Sequence, residues 1–166
     1  MRYLPNGTWM QKADRHTIEE IGIPSVVLME HAACKTVEVL NEEGVDCSHT
    51  LCVCGSGNNG GDGFAIARLL HGQGKQVTVL FVGNENSMSE ECMIQANIIK
   101  NLGIPVITEL PEKEYSIILD AIFGVGLNRE VTGRYHELIE RLNEMPGRKA
   151  AVDIPSGISS ADGSVL

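Results

Sequence analysis

Short apolar runs in the sequence alternate with longer stretches in which apolar residues recur every three or four positions. Short runs bounded by turn residues predict buried strands, whereas the longer stretches predict amphipathic helices. Five strands are predicted, at residues 50–54, 76–82, 105–108, 116–120 and 149–153. Because helices separate these strands, we expect one doubly wound α/β domain whose mostly parallel sheet carries helices on both faces.

Helices are predicted at residues 8–21, 24–43, 61–71, 88–102 and 132–144. Thr8 and Gln11 have the spacing of a capping box at the first helix, Gly22 follows its end, and Ser87 precedes the fourth helix as its cap. The second helix has a predicted core-facing stripe, formed by Val27, Leu28, Ala32, Val39 and Leu40.

Composition and charge exclude several classes of protein. A chain of 166 residues with 43% hydrophobic content can bury one core, and no apolar run approaches the roughly 18 residues of a membrane span. The 13 basic residues against 22 acidic ones argue against a nucleic-acid binder. Residues 1–11 lack the pattern of a secretory signal, and an odd count of five cysteines indicates reduced thiols. We therefore expect a cytoplasmic protein.

The first predicted strand is followed by a glycine-rich segment, Gly55 to Gly63. Glycine lets a ligand approach the backbone, and the start of the next helix offers free N–H groups to a phosphate. The segment fits the dinucleotide-binding spacing G-x-G-x-x-G, which alone is a weak signal. An NAD-dependent dehydrogenase would also have an acidic residue at the end of the next strand, and Glu85 lies further along the following loop.

Two later strands are each followed by a carboxylate, Asp120 and Asp153. The carboxyl ends of parallel strands meet at one edge of a sheet, so we expect these groups to share a crevice with the glycine-rich segment. The polar residues expected there are Asn58, Asn59, Asp62, Asp120, Asp153 and Ser156. Oxygen-rich clusters bind hard cations, and a carboxylate that no cation uses is available for proton transfer.

Three segments in this order, residues 57–63, 120–126 and 153–157, resemble the NAD(P)H-hydrate epimerase family, also called the YjeF N-terminal domain family. Residues 22–30 are similar to the N-terminal helices of that family, so the resemblance covers nearly all of residues 1–166. It implies a Rossmann-like fold, and epimerisation at the hydroxyl-bearing carbon of the hydrated cofactors NADHX and NADPHX.

The resemblance also implies roles for individual residues. It implies a potassium ion held by Asn59, Asp120 and Ser156. The residues expected to contact the hydrated cofactor are Asn58, Asn59, Gly60, Gly61, Asp62, Gly124, Val125, Gly126, Leu127, Asn128, Arg129, Glu130 and Asp153. We predict that Asp153 is the catalytic acid and base, because it ends a buried strand and is not an implied metal ligand. Asp62 is the second choice for this role.

Many members of the family are homodimers, and many bacterial members are fused to a dehydratase. The family domain normally continues past Gly163 with more sheet, so we expect residues 1–166 to be a C-terminally truncated form of it. His31 stands where relatives often have Asn or Arg. Two alternatives to the epimerase remain: a catalytically inactive dimerisation or nucleotide-binding scaffold, and an NAD-dependent oxidoreductase.

Overall fold

A five-stranded sheet forms the centre of the computed structural model, which describes residues 7–166; the first six residues of the N-terminal segment lie outside it. The strands are β1 (His49–Cys54), β2 (Gln76–Phe81), β3 (Val106–Ile107), β4 (Ile117–Ala121) and β5 (Arg148–Ala151). All neighbouring strands are parallel, in the order β3-β2-β1-β4-β5. The predicted doubly wound α/β fold is therefore confirmed.

Five α-helices connect or flank these strands. They are α1 (Gly7–His16), α2 (Ser25–Glu42), α3 (Asn58–Gly72), α4 (Glu90–Asn101) and α5 (Arg134–Glu144). A π-helical turn, Thr17–Ile21, extends α1, and Gly22 ends it with a φ of 85° that favours glycine. Across residues 7–166, no helix combines the length and the apolar character that crossing a membrane requires.

The two faces of the sheet have separate cores. On one face, the strand residues Cys52 and Val79 pack with α2, α3 and α4. On the other face, Leu51 and Leu80 pack with α5, whose Leu142 is buried. Helices thus cover both faces, as the alternation of strands and helices predicted.

Three local predictions were wrong. In α2 the buried residues are Met29, Ala33, Val37 and Leu40, so only Leu40 of the predicted stripe was correct. The cap of α4 is Ser89, whose hydroxyl accepts from the Cys92 N–H at 3.3 Å, rather than Ser87. Thr8 is itself helical, as part of α1, instead of capping it.

The start of α3 also differs from the prediction, because the helix begins at Asn58 rather than at Gly61. Glycine has a low helix propensity, which is why the sequence favoured a loop here. A Cβ on Gly60 would lie 2.0 Å from the Gly55 carbonyl oxygen, and one on Gly61 would lie 2.6 Å from the Met29 methyl group. Close packing of this first turn therefore overrides the local preference, and it brings Asn58 and Asn59 onto a rigid element.

Gly63 shows how closely α3 packs on the sheet. A Cβ at this position would lie 2.6 Å from the Ala121 Cβ and 2.8 Å from the Cys54 sulfur. We expect Gly63→Ala to lower the free energy of unfolding by about 1–3 kcal/mol, measured by urea denaturation. The matched control is Gly72→Ala in the same helix, where a Cβ meets nothing within 4 Å. Equal stability of the two variants would contradict this packing.

Candidate functional site

A cavity of about 660 Å³ opens at the carboxyl ends of β1 and β4, where the strand order reverses direction. In open α/β sheets, ligands bind in the crevice at such a switch point. Its walls come from α1, the loop after β1, the start of α3, the loop after β4, the start of α5 and the segment after β5. The predicted site residues that line it are Asn58, Asn59, Asp62, Gly124, Val125, Gly126, Leu127, Asn128, Arg129 and Asp153.

The glycines of the first loop have two different functions. A Cβ on Gly55 would lie 2.3 Å from the Ile122 carbonyl oxygen, so this glycine allows the loops after β1 and β4 to touch. Gly57 meets nothing within 4 Å, is exposed and lines the cavity, so here a ligand can approach the backbone. Gly60 and Gly61 are buried and do not line the cavity, which gives them a packing function.

Asp120 and Ser156 connect the loops that follow β4 and β5. One Asp120 oxygen accepts from the Ser156 hydroxyl at 2.6 Å, and the other accepts from the Ser156 N–H at 2.7 Å. The Ser156 oxygen in turn accepts from the Phe123 N–H at 2.9 Å. Asp120 and Ser156 therefore come together as predicted, but beneath the cavity: neither one lines it.

Gly124 is the point at which the first turn of α3 and the segment after β5 meet. A Cβ on Gly124 would lie 2.6 Å from an Asp153 carboxylate oxygen and 3.3 Å from the Asn59 Cβ. Phe123, the adjacent residue, contacts Ser156 through its N–H. Asn59, Asp153 and the Asp120–Ser156 pair therefore converge on two consecutive residues of one loop, as the sequence predicted.

Asn59 carries two polar atoms that are buried at the edge of the cavity. Within residues 7–166, neither its amide oxygen nor its amide nitrogen has a hydrogen-bond partner, although both atoms are buried. A buried polar atom without a partner costs about 1–3 kcal/mol, so such a group indicates a role in binding. Its neighbour Asn58 is exposed and lines the cavity.

Asp153 does not lie at the end of a buried strand, so that prediction was wrong. β5 ends at Ala151, and Asp153 lies in the bend that follows, with an exposed side chain. Its carboxylate accepts from the Val125 N–H at 2.8 Å and lines the cavity. Asp153 remains well placed for chemistry because of its position, although not because of burial.

Asp62 is more buried than Asp153. It lies in the second turn of α3 with most of its side chain covered. Burial, together with smaller contributions from the nearby carboxylates of Asp153 and Asp14, raises the pKa of Asp62 to about 7. A carboxyl group with this pKa is partly protonated at neutral pH, which suits it to general acid catalysis.

Sequence reasoning missed several residues of the cavity wall. Asp14 and Gln11 come from α1, which is far from the strand ends in sequence, and no motif marks them. Their spacing of three residues, on one face of a helix, is the only signal that they share a surface. Ser56, Ile122, Phe123 and Tyr135 also line the cavity, whereas the predicted contact residue Glu130 does not.

The cavity wall carries more negative than positive charge. Asp14, Asp62 and Asp153 face it, and among the residues from 7 to 166 that line it, Arg129 is the one lysine or arginine. An anionic ligand at this place needs compensation from Arg129, from the N–H groups at the start of α3, or from a bound cation. Within residues 7–166, no three His, Cys, Asp or Glu side chains are grouped to hold a metal. A cation would therefore depend on amide and hydroxyl oxygens as well.

Comparison with protein families gives a match over residues 25–166 to the family described as YjeF-related protein N-terminus. Curated relatives named NAD(P)H-hydrate epimerase include one from Weissella koreensis, 43% identical over 158 residues, which cover 95% of this chain and 72% of the relative. Another, from Leuconostoc mesenteroides, is 41% identical over 165 residues, which cover 99% of this chain and 75% of the relative.

Among solved structures, the crystal structure of yeast ynu0 superposes with a TM-score of 0.81. The superposition covers 99% of this chain and 75% of the yeast chain, at 22% sequence identity. At this identity the likeness shows that the two proteins share a fold.

Proposed function

This chain belongs to the family of YjeF-related protein N-termini, and from that premise we propose that it is an NAD(P)H-hydrate epimerase. Such an isomerase interconverts the R and S forms of hydrated nicotinamide cofactors, NADHX and NADPHX. The observation that carries the proposal is the meeting of Asn59 and Asp153 at Gly124, within a cavity at the switch point of the sheet. The inactive scaffold and the oxidoreductase are not favoured, because the curated relatives are named as epimerases.

The cavity offers an anionic dinucleotide few cations and several backbone groups. We place the pyrophosphate near Gly57, Asn58 and the start of α3, where helix N–H groups and the helix dipole favour negative charge. Arg129, on the opposite loop, supplies a positive side chain. The segment from Gly124 to Asn128 then lies along the nicotinamide half of the ligand.

Two carboxylates divide the proton transfer in this proposal. The substrate carbon carries a hydroxyl group and is bonded to the ring nitrogen. Asp62 donates a proton to the hydroxyl, the C–O bond breaks, and the nitrogen lone pair forms a planar iminium and releases water. Water adds to the other face of the iminium, and Asp153 accepts the proton that it loses. Transfer of this proton through water to Asp62 restores the starting state.

This division modifies the original prediction, which assigned both acid and base to Asp153. Asp62 is more suited to hold the proton, because its pKa is raised to about 7 by burial and by the Asp153 and Asp14 carboxylates. The Asp153 carboxylate accepts from the Val125 N–H and is exposed at the cavity. Because it is exposed, it has access to water. Both residues are needed for a complete cycle.

We further propose that Asn59, Asp120 and Ser156 hold a potassium ion. The buried Asn59 amide oxygen without a partner supports this, and Asp120 supplies one negative charge beside a hydroxyl oxygen. When bound, the ion would offset the negative charge of the surrounding carboxylates and of the substrate phosphates. The three residues thus fit a monovalent cation with oxygen ligands.

The assay that tests the function follows conversion of R-NADHX to S-NADHX by proton NMR with purified protein. We expect equilibration much faster than in a sample without protein, in a buffer that contains potassium. A rate equal to that of the protein-free sample would contradict the epimerase. Transfer of hydride to or from NAD(P) in a parallel absorbance assay would support the oxidoreductase instead.

The potassium site gives a separate expected result. In potassium chloride the melting temperature should exceed that in choline chloride of equal ionic strength by about 3 °C, the shift that 1 kcal/mol of binding energy produces in a domain of this size. Asn59→Ala should remove this difference, whereas Asn101→Ala, an exposed change at the end of α4, should keep it. A difference that persists in Asn59→Ala would exclude Asn59 as a ligand.

Partners and location complete the proposal. The exposed apolar side chains of Ile21, Val27 and Ile94 support a homodimer. His31 does not line the first cavity; it lines a shallow depression together with Val27 and Ile94. Sedimentation velocity distinguishes a dimer from a monomer.

A dehydratase acting on the S form, fused or separate, would consume the product. The five free cysteines support a reducing compartment such as the cytoplasm.

A further inference from the structure

A second cavity, of about 720 Å³, lies at the carboxyl ends of β2 and β3 and against α5. Its wall includes the apolar residues Leu80, Leu110 and Leu138 and the charged residues Glu85, Arg134 and Arg141. Pockets of a few hundred Å³ with apolar walls and a few polar groups are typical of small-molecule sites. The proposed chemistry does not use this cavity.

The second cavity is a direct neighbour of the first. Tyr135 lines the first cavity, and its hydroxyl donates at 3.0 Å to the carbonyl of Val82, which lines the second. A Cβ on Gly83 would lie 2.6 Å from the Ser56 nitrogen, so the loops after β1 and β2 are in contact. A single layer of loop residues therefore separates the two spaces.

Resting on the proposed function, we propose that the second cavity binds the adenosine half of the hydrated dinucleotide and that its carboxylates favour NADHX over NADPHX. A dinucleotide in an open parallel sheet lies across the switch point, with its two halves on opposite sides. Asp153 follows β5 and its carboxylate contacts the loop after β4, so the reacting ring belongs on that side of the switch point. The adenosine then extends toward β2 and β3, where this cavity lies.

The charges of the second cavity suit ribose hydroxyls better than a phosphate. Glu85 lies in the loop after β2, not at the end of the strand, but it lines the cavity, and a carboxylate there can accept hydrogen bonds from ribose hydroxyls. Glu109 and Glu137 also line the cavity, so three carboxylates face two arginines. Arg134 already donates to the Val82 carbonyl, with its guanidinium 4.8 Å from the centre of the Tyr135 ring. A 2′-phosphate would therefore meet net negative charge.

The first test maps binding of adenosine 5′-monophosphate to the wild-type protein by amide chemical shifts in NMR. We expect shifts at Gly83, Glu85 and Thr108, and weaker binding of adenosine 2′,5′-bisphosphate. Shifts confined to Asn58, Gly126 and their neighbours in the first cavity would overturn the proposal. This measurement does not require any epimerase activity.

The second test compares NADHX with the hydrate of reduced nicotinamide mononucleotide, which lacks adenosine. Thr108→Trp, an exposed change at the wall of the second cavity, should raise KM for NADHX about tenfold, a loss equivalent to about 1.4 kcal/mol, and leave KM for the truncated substrate as it is. Equal changes for both substrates would overturn the proposal. A wild-type protein that converts neither substrate would contradict the epimerase instead, and the nucleotide titration would still decide the binding site.

The third test concerns the selection between cofactors. Glu85→Gln combined with Glu109→Gln should lower the ratio of KM for NADPHX to KM for NADHX about tenfold, because two repulsive charges are removed. Glu144→Gln, at the end of α5 and outside the cavity wall, is the matched control and should keep the wild-type ratio. An unchanged ratio in the double variant would exclude these carboxylates as the source of the selection.

Discussion

Asparagine in place of Asp153 should lower kcat/KM for epimerisation by about 10²–10⁴-fold, the range that a positioned acid or base contributes. The asparagine oxygen can still accept from the Val125 N–H, so the loop should keep its geometry. What is lost is the ability to take the proton from the water that adds to the iminium. The measurement is the rate of R-to-S conversion of NADHX, followed by NMR.

Asp46→Asn is the control for this substitution. Asp46 lies in the loop before β1 and its carboxylate accepts from the Ser48 N–H at 2.9 Å, a bond that asparagine can also make. The control should retain wild-type kinetics, and both variants should melt within a few degrees of the wild type. Full activity of Asp153→Asn would remove Asp153 from the mechanism.

Asp62→Asn should have an equally large effect on turnover, and it should raise the stability of the protein above the pKa of Asp62. The substitution removes the proton that is given to the leaving hydroxyl, so kcat should fall by about 10²–10⁴-fold. In the wild type, kcat/KM should also decline above the pKa of about 7, where Asp62 loses its proton. The pH profiles of the two proteins show whether this decline belongs to Asp62.

The stability of the same variant gives an independent check. The folded protein holds the Asp62 proton more tightly than the unfolded chain does, because the pKa rises from the ordinary 3.8 to about 7. The free energy of unfolding should therefore fall as the pH rises from about 4 to about 7. Asp62→Asn removes this decline, so the variant should melt above the wild type at pH 8 and close to it at pH 4. A variant less stable than the wild type at pH 8 would contradict the buried carboxyl.

The strands and their functional ends were accessible from sequence because they depend on local patterns. Ile117 to Leu119 form an apolar run that needs a fully buried strand, and Asp120 follows it at once. A parallel sheet then brings such strand ends together without further information. The convergence on Gly124 follows from this topology and not from any contact that is visible in the sequence.

The wrong or missing predictions concern features that tertiary packing determines. Both sides of α2 carry apolar residues, so its periodicity does not decide whether Val39 or Val37 faces the core; packing against the neighbouring helices decides it. The first turn of α3 contains Gly60 and Gly61, and its helical form depends on contacts with Gly55 and Met29. Asp14 reaches the cavity from α1, and no local signal announces an approach between segments so distant along the chain.

Hydrogen bonds to other segments and within the loop itself hold the loop after β4 in place before any substrate arrives. Phe123 donates to Ser156, Val125 donates to Asp153, and a turn joins the Leu127 N–H to the Gly124 carbonyl at 3.0 Å. Ordering a flexible loop around a ligand would consume part of the binding energy, and a loop that is already fixed avoids that entropic loss. The loop is thus preorganised for the hydrated cofactor. Variants that loosen it should weaken binding even where they remove no direct contact with the ligand.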